Sequence, residues 1–518
     1  MALKLFLCTF ISTLSFRIAF QSFYFWFFIF IFFLPILWLE NEVYTKKLKK
    51  RYFFIWIWLI FLFINVSVLY WTVNDTLISS IILYVCNGLL MSLPILLFCV
   101  LHRRLEKLLT EKYVYVGFGL FWLSFEYLHS LSDFAFPFLN LGNIFSSIPQ
   151  IIQWFSITGI LGGSFWVLLV NVFIFITYQK STHQNIFTLI FLVVMPIFIS
   201  FLMLYTTEKD KETKEILIMH PNMVRYGQDA LLHIEQINKY TEIINKNITK
   251  NTDYVLMPET AIQIKQWRHL LDNHLPTLFF QQITKKYPKL KIIAGVITSE
   301  YSKDSIETEK EKYTNKHFKT YNAMIQIDNT KNVQWRTKSK LVPYEERRPY
   351  YLDWFSPIYF YFGGERWNYT KNLGIENNFF EDNISGLNVV PLICYESFFD
   401  EFATTKMNQK TMFLTCSANE VWYKNTEGIT QEFEKIRLLA ICTSKSVARS
   451  SDFGGSGLVD KQGNVLVKLD NDKKDFLLVN IPINTKNTLF MYWGEIIGKI
   501  ALFFMLFIIL VILSCNYT

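Results

Sequence analysis

Histidine is scarce in this chain, with 8 among 518 residues and none beyond His317. HExxH and HxH do not occur, which removes the usual histidine-based zinc patterns. Cysteine is scarce too. The 7 are Cys8, Cys86, Cys99, Cys394, Cys416, Cys442 and Cys515, and none forms a CxxC, so neither a thiolate zinc site nor a disulfide scaffold is spelled out. A glycine-rich phosphate loop and a GxSxG elbow are absent, which leaves nucleotide binding and serine-hydrolase chemistry without a motif. No metal and no cofactor are expected. Charge carries no nucleic-acid signature. Lys and Arg number 51 against 43 Asp and Glu, a formal net charge of +8, but the clearest basic clusters flank apolar runs instead of lining a polar domain. A cleavable signal peptide does not stand out; the apolar N-terminus continues and reads as a retained anchor.

What the chain has in excess is apolar and aromatic mass. Hydrophobic residues make up 52%, with 50 Phe, 27 Tyr and 14 Trp, too many for an ordinary water-soluble protein. Residues 3 to 38 are almost wholly apolar and exceed one average span. Arg17 and the Gln21–Ser22 pair near the middle suggest a hairpin, hence two spans at 3–19 and 21–39. Further runs cover 53–71, 78–101, 113–130, 155–177, 185–205 and 496–514. That predicts eight spans, seven before residue 206 and one at the end. The loop 42–52 holds Lys46, Lys47, Lys49, Lys50 and Arg51; the loop 102–112 holds Arg103, Arg104, Lys107 and Lys112; the loop 178–184 holds Lys180. The segments 72–77 and 131–153 hold no Lys or Arg. By the positive-inside rule the basic loops and both termini are cytoplasmic, and the segment 206–490 lies outside the cytoplasm.

That segment is polar, mixed in charge and long enough for one sizeable core. Short apolar runs recur in it, at 216–219, 254–257, 291–297, 322–327, 388–393, 412–416, 456–460 and 476–481. Helix-length stretches, Gln228–Asn245 and Gln431–Lys445, lie between some of them, so the pattern is α/β. The charged stretch 299–318 reads as an exposed excursion.

Several polar residues stand where these apolar runs end. Glu259 follows YVLM in MPET, Lys338 and Lys340 precede Glu345 and Glu346 in KSKLVPYEE, and Cys394 and Glu396 follow PLI in LICYE. Strand ends and the loops beyond them are where α/β folds present functional side chains. A cysteine there is either a core thiol or a nucleophile. Spacing alone does not bring the three groups together.

The ordered set MPET, KSKLVPYEE, LICYESFF and SANEVWY resembles the nitrilase, or carbon–nitrogen hydrolase, superfamily. With the spans around it, the chain resembles the apolipoprotein N-acyltransferase family over nearly its whole length. FEYLHS (125–130), FPFLNLG (136–142), HPNM (220–223), QEFEKIRLLA (431–440), RSSDFGGSGLVDKQG (449–463) and TLFMYWGE (488–495) fall in the family's order. The resemblance implies a polytopic α-helical membrane bundle carrying an αββα sandwich: residues 1–205 as seven helices, 206–490 as the extracytoplasmic catalytic domain, and 491–518 as the last helix and tail. It implies a triad of Glu259 as general base, Lys338 as the catalytic lysine and Cys394 as nucleophile. Glu346 and Glu396 match two further acidic positions, and Tyr395 the aromatic residue after the nucleophile. Lys340 matches a neighbouring position instead. Trp422 and Tyr423 are candidates for the substrate path. Departures are Tyr344–Glu345 for a phenylalanine–glycine, Val421 for a glycine, Glu432 for a histidine and Phe138 for a tryptophan.

The reaction implied is acyl transfer from a phospholipid, phosphatidylethanolamine by resemblance, to the N-terminal amine of a diacylated apolipoprotein, through a thioester on Cys394. Membrane lipids are the surroundings, nucleic acid is not a partner, and a monomer in a bacterial inner membrane with a periplasmic catalytic domain is expected. A Cys–Lys–Glu set is coherent chemistry in itself: a nearby ammonium favours the thiolate and a carboxylate can take the proton. Glu126, inside or near the end of a span, is a functional candidate or a partner of a helix end. Arg437 reads as helix or acidic-partner packing and Arg449 as structural. Two other functions remain open, a membrane-tethered amidase or hydrolase and an inactive membrane protein.

Overall fold

The computed structural model describes residues 2–21, 24–109, 111–132, 135–223, 233–303, 309–310, 315–343, 345–346, 369–370, 378–469 and 476–514. The chain forms two compact units, Met1–Thr207 with Thr488–Thr518, and Glu208–Asn487.

Among the described residues of the first unit, seven helical segments are long and apolar enough to cross a bilayer: Leu3–Gln21, Trp26–Tyr44, Lys50–Asn74, Leu77–Leu108, Ile160–Gln179, His183–Thr206 and Ile496–Ser514. The expected break in the first apolar run is present, between the helix Ala2–Gln21 and a 3-10 turn at Trp26–Ile31. Ser22 of the expected hairpin lies outside the described residues. The eighth expected span, 113–130, is the helix Glu111–Leu131. It is not apolar enough to count with the others, because it spends positions on Glu126, His129, glycines and tyrosines. It packs against Leu77–Leu108, Ile160–Gln179 and Ile496–Ser514, so helices cover much of it where lipid would otherwise lie.

Polar side chains inside this bundle stitch breaks in the backbone. The second segment changes from 3-10 to α between Ile31 and Leu34. There Asn171 donates to the Ile29 carbonyl at 2.9 Å and its Oδ1 accepts from the Phe33 N–H at 2.9 Å. In a bilayer such groups have no water to turn to, so an amide from a neighbouring helix is the local solution. Glu126 is placed to pair with a helix end, one of the two roles expected of it. Its Oε1 accepts from Trp122 Nε1 at 2.8 Å and from the Leu141 N–H at 3.0 Å, which heads the 3-10 turn Leu141–Ser147.

The second unit contains β1 (Thr213–Met219), β2 (Thr252–Leu256), β3 (Ile262–Trp267), β4 (Lys291–Ser302), β5 (Glu309–Lys310), β6 (His317–Ile327), β7 (Gln334–Thr337), β8 (Phe380–Glu381), β9 (Asn388–Ile393), β10 (Thr411–Ala418), β11 (Val447–Ser451), β12 (Gly457–Val459), β13 (Val465–Lys468) and β14 (Phe476–Pro482). One sheet runs β14-β1-β2-β4-β6-β5, with β3 on β4 and β7 on β6; the other runs β13-β12-β11-β10-β9-β8. The central pairs β1–β2, β2–β4, β9–β10 and β10–β11 are parallel.

Strand periodicity explains the layers. Ile216 and Ile218 of β1 point into a core shared with Val389, Phe413 and Ala448 of the other sheet. Leu217 and Met219 point the other way, onto Tyr240, Ile244 and Phe280 of the helices His233–Asn247 and Leu275–Lys286. Beyond the second sheet, Val390 and Leu414 meet Phe433, Ile436 and Leu439 of the helix Glu427–Thr443. Four layers result, helix–sheet–sheet–helix, and strands buried on both faces read as the unbroken apolar runs noted above. The charged stretch 299–318 is an excursion only in part: β4 runs on to Ser302 and β6 starts at His317, while 304–308 and 311–314 lie outside the described residues.

Candidate active site

Each functional side chain is delivered by the end of a strand. After β2, the Met257 N–H donates to the Ile293 carbonyl at 2.8 Å, and the Gly295 N–H donates to the Pro258 carbonyl at 3.2 Å. These bonds carry the chain past β4 and leave Glu259 buried at the end of the sheet. Gly295 permits the approach, since a Cβ there would lie 2.4 Å from Thr260 N and 2.7 Å from Glu259 Cα.

The second group comes from the β6–β7 hairpin. The Lys338 N–H donates to the Asn322 carbonyl at 2.8 Å, just past the paired Thr337 and Ala323. Lys338 Nζ donates to Glu259 Oε1 at 2.9 Å and to Glu346 Oε1 at 2.8 Å. Asn322 Nδ2 donates to the same two oxygens, at 2.7 and 3.0 Å. Glu346 is held in turn by the Val342 N–H at 2.9 Å. Lys340 lies over the Phe399 ring, 4.5 Å from its centroid.

The third group ends β9. Cys394 has φ +46°, a left-handed conformation that lifts it out of the strand. Glu396 holds that turn in place. Its carboxylate accepts from the Ile393 N–H at 3.0 Å, the Ser339 N–H at 2.7 Å and Arg336 Nη2 at 2.7 Å. Arg336 also donates to the Pro391 carbonyl at 2.5 Å. Glu396 therefore ties the Cys394 turn to the segment that carries Lys338. Tyr395 is buried edge-on against Phe399, with centroids 5.1 Å apart.

Burial dominates the electrostatics. It pulls the Lys338 ammonium down, but Glu259 and Glu346 outweigh it and hold the lysine well above its ordinary range. Burial and the nearby Glu259 push Glu346 up against the pull of Lys338. Burial, Glu432 and Glu259 push the Cys394 thiol well above its ordinary value, and Lys338 only partly opposes them. A nearby ammonium is thus insufficient to give a standing thiolate.

One neighbour of the sulfur appeared in the sequence only as a departure from a pattern. Cys394 Sγ donates to Glu432 Oε1 at 3.7 Å, from the helix Glu427–Thr443. The Tyr423 hydroxyl donates to the same oxygen at 3.3 Å. Arg449 Nη2 donates to Glu432 Oε2 at 2.7 Å and Nη1 to Glu420 Oε2 at 2.9 Å. Arg449 is therefore structural in the sense expected, and it holds the carboxylate that faces the Cys394 sulfur. Trp422 shares the turn Val421–Tyr423 and is partly exposed. Arg437 donates to the Gly463 carbonyl at 2.8 Å and pairs with Glu434. Tyr344 lies outside the described residues, as do 347–368.

Comparison with known proteins matches residues 12–173 to the apolipoprotein N-acyltransferase N-terminal domain and residues 226–487 to the carbon–nitrogen hydrolase family. The chain is 26% identical to an apolipoprotein N-acyltransferase of Wigglesworthia glossinidia brevipalpis over 387 residues, covering 74% of this chain and 72% of that protein. It is 20% identical to the one from Chlorobaculum tepidum, covering 84% and 83%. Among solved structures, Saccharomyces cerevisiae Nit3 of the nitrilase superfamily aligns with 53% of this chain and 92% of its own, at 12% identity and TM-score 0.36. A carbon–nitrogen hydrolase domain that spans half of the chain, joined to a matching membrane unit, makes this protein a member of the apolipoprotein N-acyltransferase family.

Proposed function

We propose that the protein transfers a fatty acyl chain from a phospholipid to the N-terminal amine of a diacylglyceryl-cysteine apolipoprotein. The reading is supported above all by Lys338, held at 2.9 Å from Glu259 and at 2.8 Å from Glu346, in electrostatic reach of Cys394 on its left-handed turn. Cys394 attacks the ester carbonyl of the donor. Lys338 stabilises the oxyanion together with a backbone N–H near Tyr395, and one such donor is typically worth about 3 kcal/mol. A lysophospholipid leaves with a proton from the Glu259 side, and a thioester remains on Sγ. The acceptor amine attacks next, Glu259 takes its proton, and the amide forms.

Phosphatidylethanolamine as donor, with its sn-1 chain transferred, is the family's pattern applied to this chain. Trp422 and Tyr423 line the substrate path in this reading, and Glu346 and Glu396 hold the triad. The chain acts as a monomer in a bacterial inner membrane, with residues 206–490 on the periplasmic side and both termini cytoplasmic. Water is the competing nucleophile, so the site has to close over apolar chains during the thioester's lifetime.

The test uses purified full-length protein and labelled phospholipid. A hydroxylamine-labile acyl group should form on Cys394, and the label should move to the amine of a diacylated lipopeptide when that is added. Release of free fatty acid, or of ammonia from a small amide, with no transfer would identify a membrane-tethered hydrolase instead. Formation of no adduct at all would mark an inactive protein. Acyl transfer by the Cys394→Ala variant would overturn the assignment of the nucleophile.

A further inference from the structure

Two buried charge clusters of the same composition flank the Cys394 sulfur. On one side Glu259 and Glu346 share the single ammonium of Lys338. On the other side Glu420 and Glu432 share the single guanidinium of Arg449, at 2.9 and 2.7 Å. Lys338, Arg449, Glu420 and Glu432 are all nearly inaccessible to solvent. Among the described residues each site sets two carboxylates against one cation, so each cluster can take up a proton. The second cluster aims its oxygens unequally. Glu432 Oε2 is fixed by Arg449, while Oε1 faces outward and accepts from the Cys394 thiol at 3.7 Å and from the Tyr423 hydroxyl at 3.3 Å. Gly454, at φ +124°, seats the cluster closely, because a Cβ there would lie 2.0 Å from Glu420 Oε2.

We infer that Glu432 is a second acid–base group on the Cys394 sulfur, taking the thiol proton as the acyl chain arrives and returning it as the acyl chain departs. The inference rests on the acyl-transfer reading and divides its proton traffic between two clusters. In the first half-reaction the S–C bond forms while the S–H proton passes to Glu432 Oε1. The carbonyl electron pair moves to the oxygen held by Lys338. On collapse the ester C–O bond breaks, and the leaving oxygen takes the proton held by the Glu259–Glu346 pair. In the second half-reaction the amine nitrogen bonds to the thioester carbon and gives one proton to that pair. The C–S bond then breaks with its electrons on sulfur, and Glu432 returns the first proton. Both clusters end as they began.

At rest Cys394 and Glu432 hold one proton between them, as thiol with carboxylate or as thiolate with carboxylic acid. Exchange between those two forms consumes no proton from solution, so the fraction of thiolate stays constant with pH until the pair as a whole gains or loses a proton. The groups facing the pair are Lys338, Glu259, Glu346, Tyr395, Tyr423, Glu420, Arg449 and Cys416.

The test needs no acyl donor, so it stands apart from the test of function. Full-length protein in detergent is alkylated with iodoacetamide, and modification of Cys394 is followed by peptide mass as a function of pH. The native protein should give a rate that changes less than about twofold between about pH 6 and pH 8. Glu432→Gln should give a single titration, rising about tenfold per pH unit below its midpoint. Glu432→Asp should restore the flat profile at a lower rate. A native rate that itself rises about tenfold per pH unit across this range would overturn the inference, even if Glu432→Gln failed to fold. So would a Glu432→Gln profile with the native shape and only a scaled rate. A flat native profile without phospholipid-dependent adduct would leave Glu432 in this role and sink the acyl-transfer reading alone.

Discussion

An L-residue in the left-handed region gives up roughly 1–2 kcal/mol relative to the ordinary helical one. Cys394 stands there, at φ +46°. The hydrogen bonds of Glu396 to Ile393, Ser339 and Arg336 keep the turn closed against that cost. Cys394→Gly should therefore be more stable than Cys394→Ala by about 1 kcal/mol, as read from thermal unfolding in detergent, and neither should form an adduct. Equal stability of the two would mean that the turn is not strained. Lys338 presents the opposite case, a charge that its neighbours require. Lys338→Met leaves Glu259 and Glu346 facing each other in a buried site, which should cost about 3–5 kcal/mol and all adduct formation. Adding Glu259→Gln to that variant should recover part of the stability and none of the activity. Glu259, Lys338, Cys394, Glu346 and Glu396 are legible in the sequence because each follows or brackets an apolar run within a family-like motif. Glu432 is legible only as an unusual residue on a helix. Its contact with the sulfur spans 38 residues and depends on how that helix lies against the second sheet.

Among the elements, β4 supports the candidate site without contributing a side chain to the proposed chemistry. Gly295→Ala would drive a methyl group against the backbone of Glu259 and Thr260. It should cost about 1–3 kcal/mol by overpacking and lower the rate of adduct formation while substrate binding is kept, as single-turnover and binding measurements would separate. A second buried pair joins the sheets. Lys291 of β4 meets Asp382, just after β8, at 2.8 Å, and the Tyr254 hydroxyl of β2 donates to the other Asp382 oxygen at 2.9 Å. Burial pushes the Asp382 carboxyl up, but Lys291 outweighs it and brings it down to about 2. A carboxyl lowered on folding stabilises the native state above its unfolded range near 4, and that contribution fades as pH falls toward 2. Thermal melts from pH 5 to 2 should lose about 2 kcal/mol from this group, and Asp382→Asn should flatten that part of the profile. All eight apolar runs read from the sequence of this domain become strands, since each carries a short cluster of apolar residues of strand length. β7 and β11 went unread for the converse reason. They carry Arg336 and Arg449, which are buried in ion pairs, so hydrophobic alternation fails where the site's polar network enters the sheets.

For the whole molecule, the order of apolar runs foretells the division into a membrane unit and an α/β unit. The count of spans is less legible, because an interior helix such as Glu111–Leu131 meets protein instead of lipid and can carry polar residues at the expense of hydropathy. The direction in which the chain threads the bilayer is an expectation from its basic loops. In spheroplasts, a membrane-impermeant maleimide should label Lys250→Cys and spare Lys47→Cys, scored against the unsubstituted protein. The reverse pattern would place the α/β unit in the cytoplasm and remove it from lipoprotein substrates. Asn171 adds a consequence for biogenesis. The backbone break that it bridges, at Ile29 and Phe33, is synthesised about 140 residues before Asn171 itself. The earliest part of the bundle thus leaves the ribosome with an exposed polar seam, and a much later helix closes it, so insertion of the first two segments is provisional until that helix arrives.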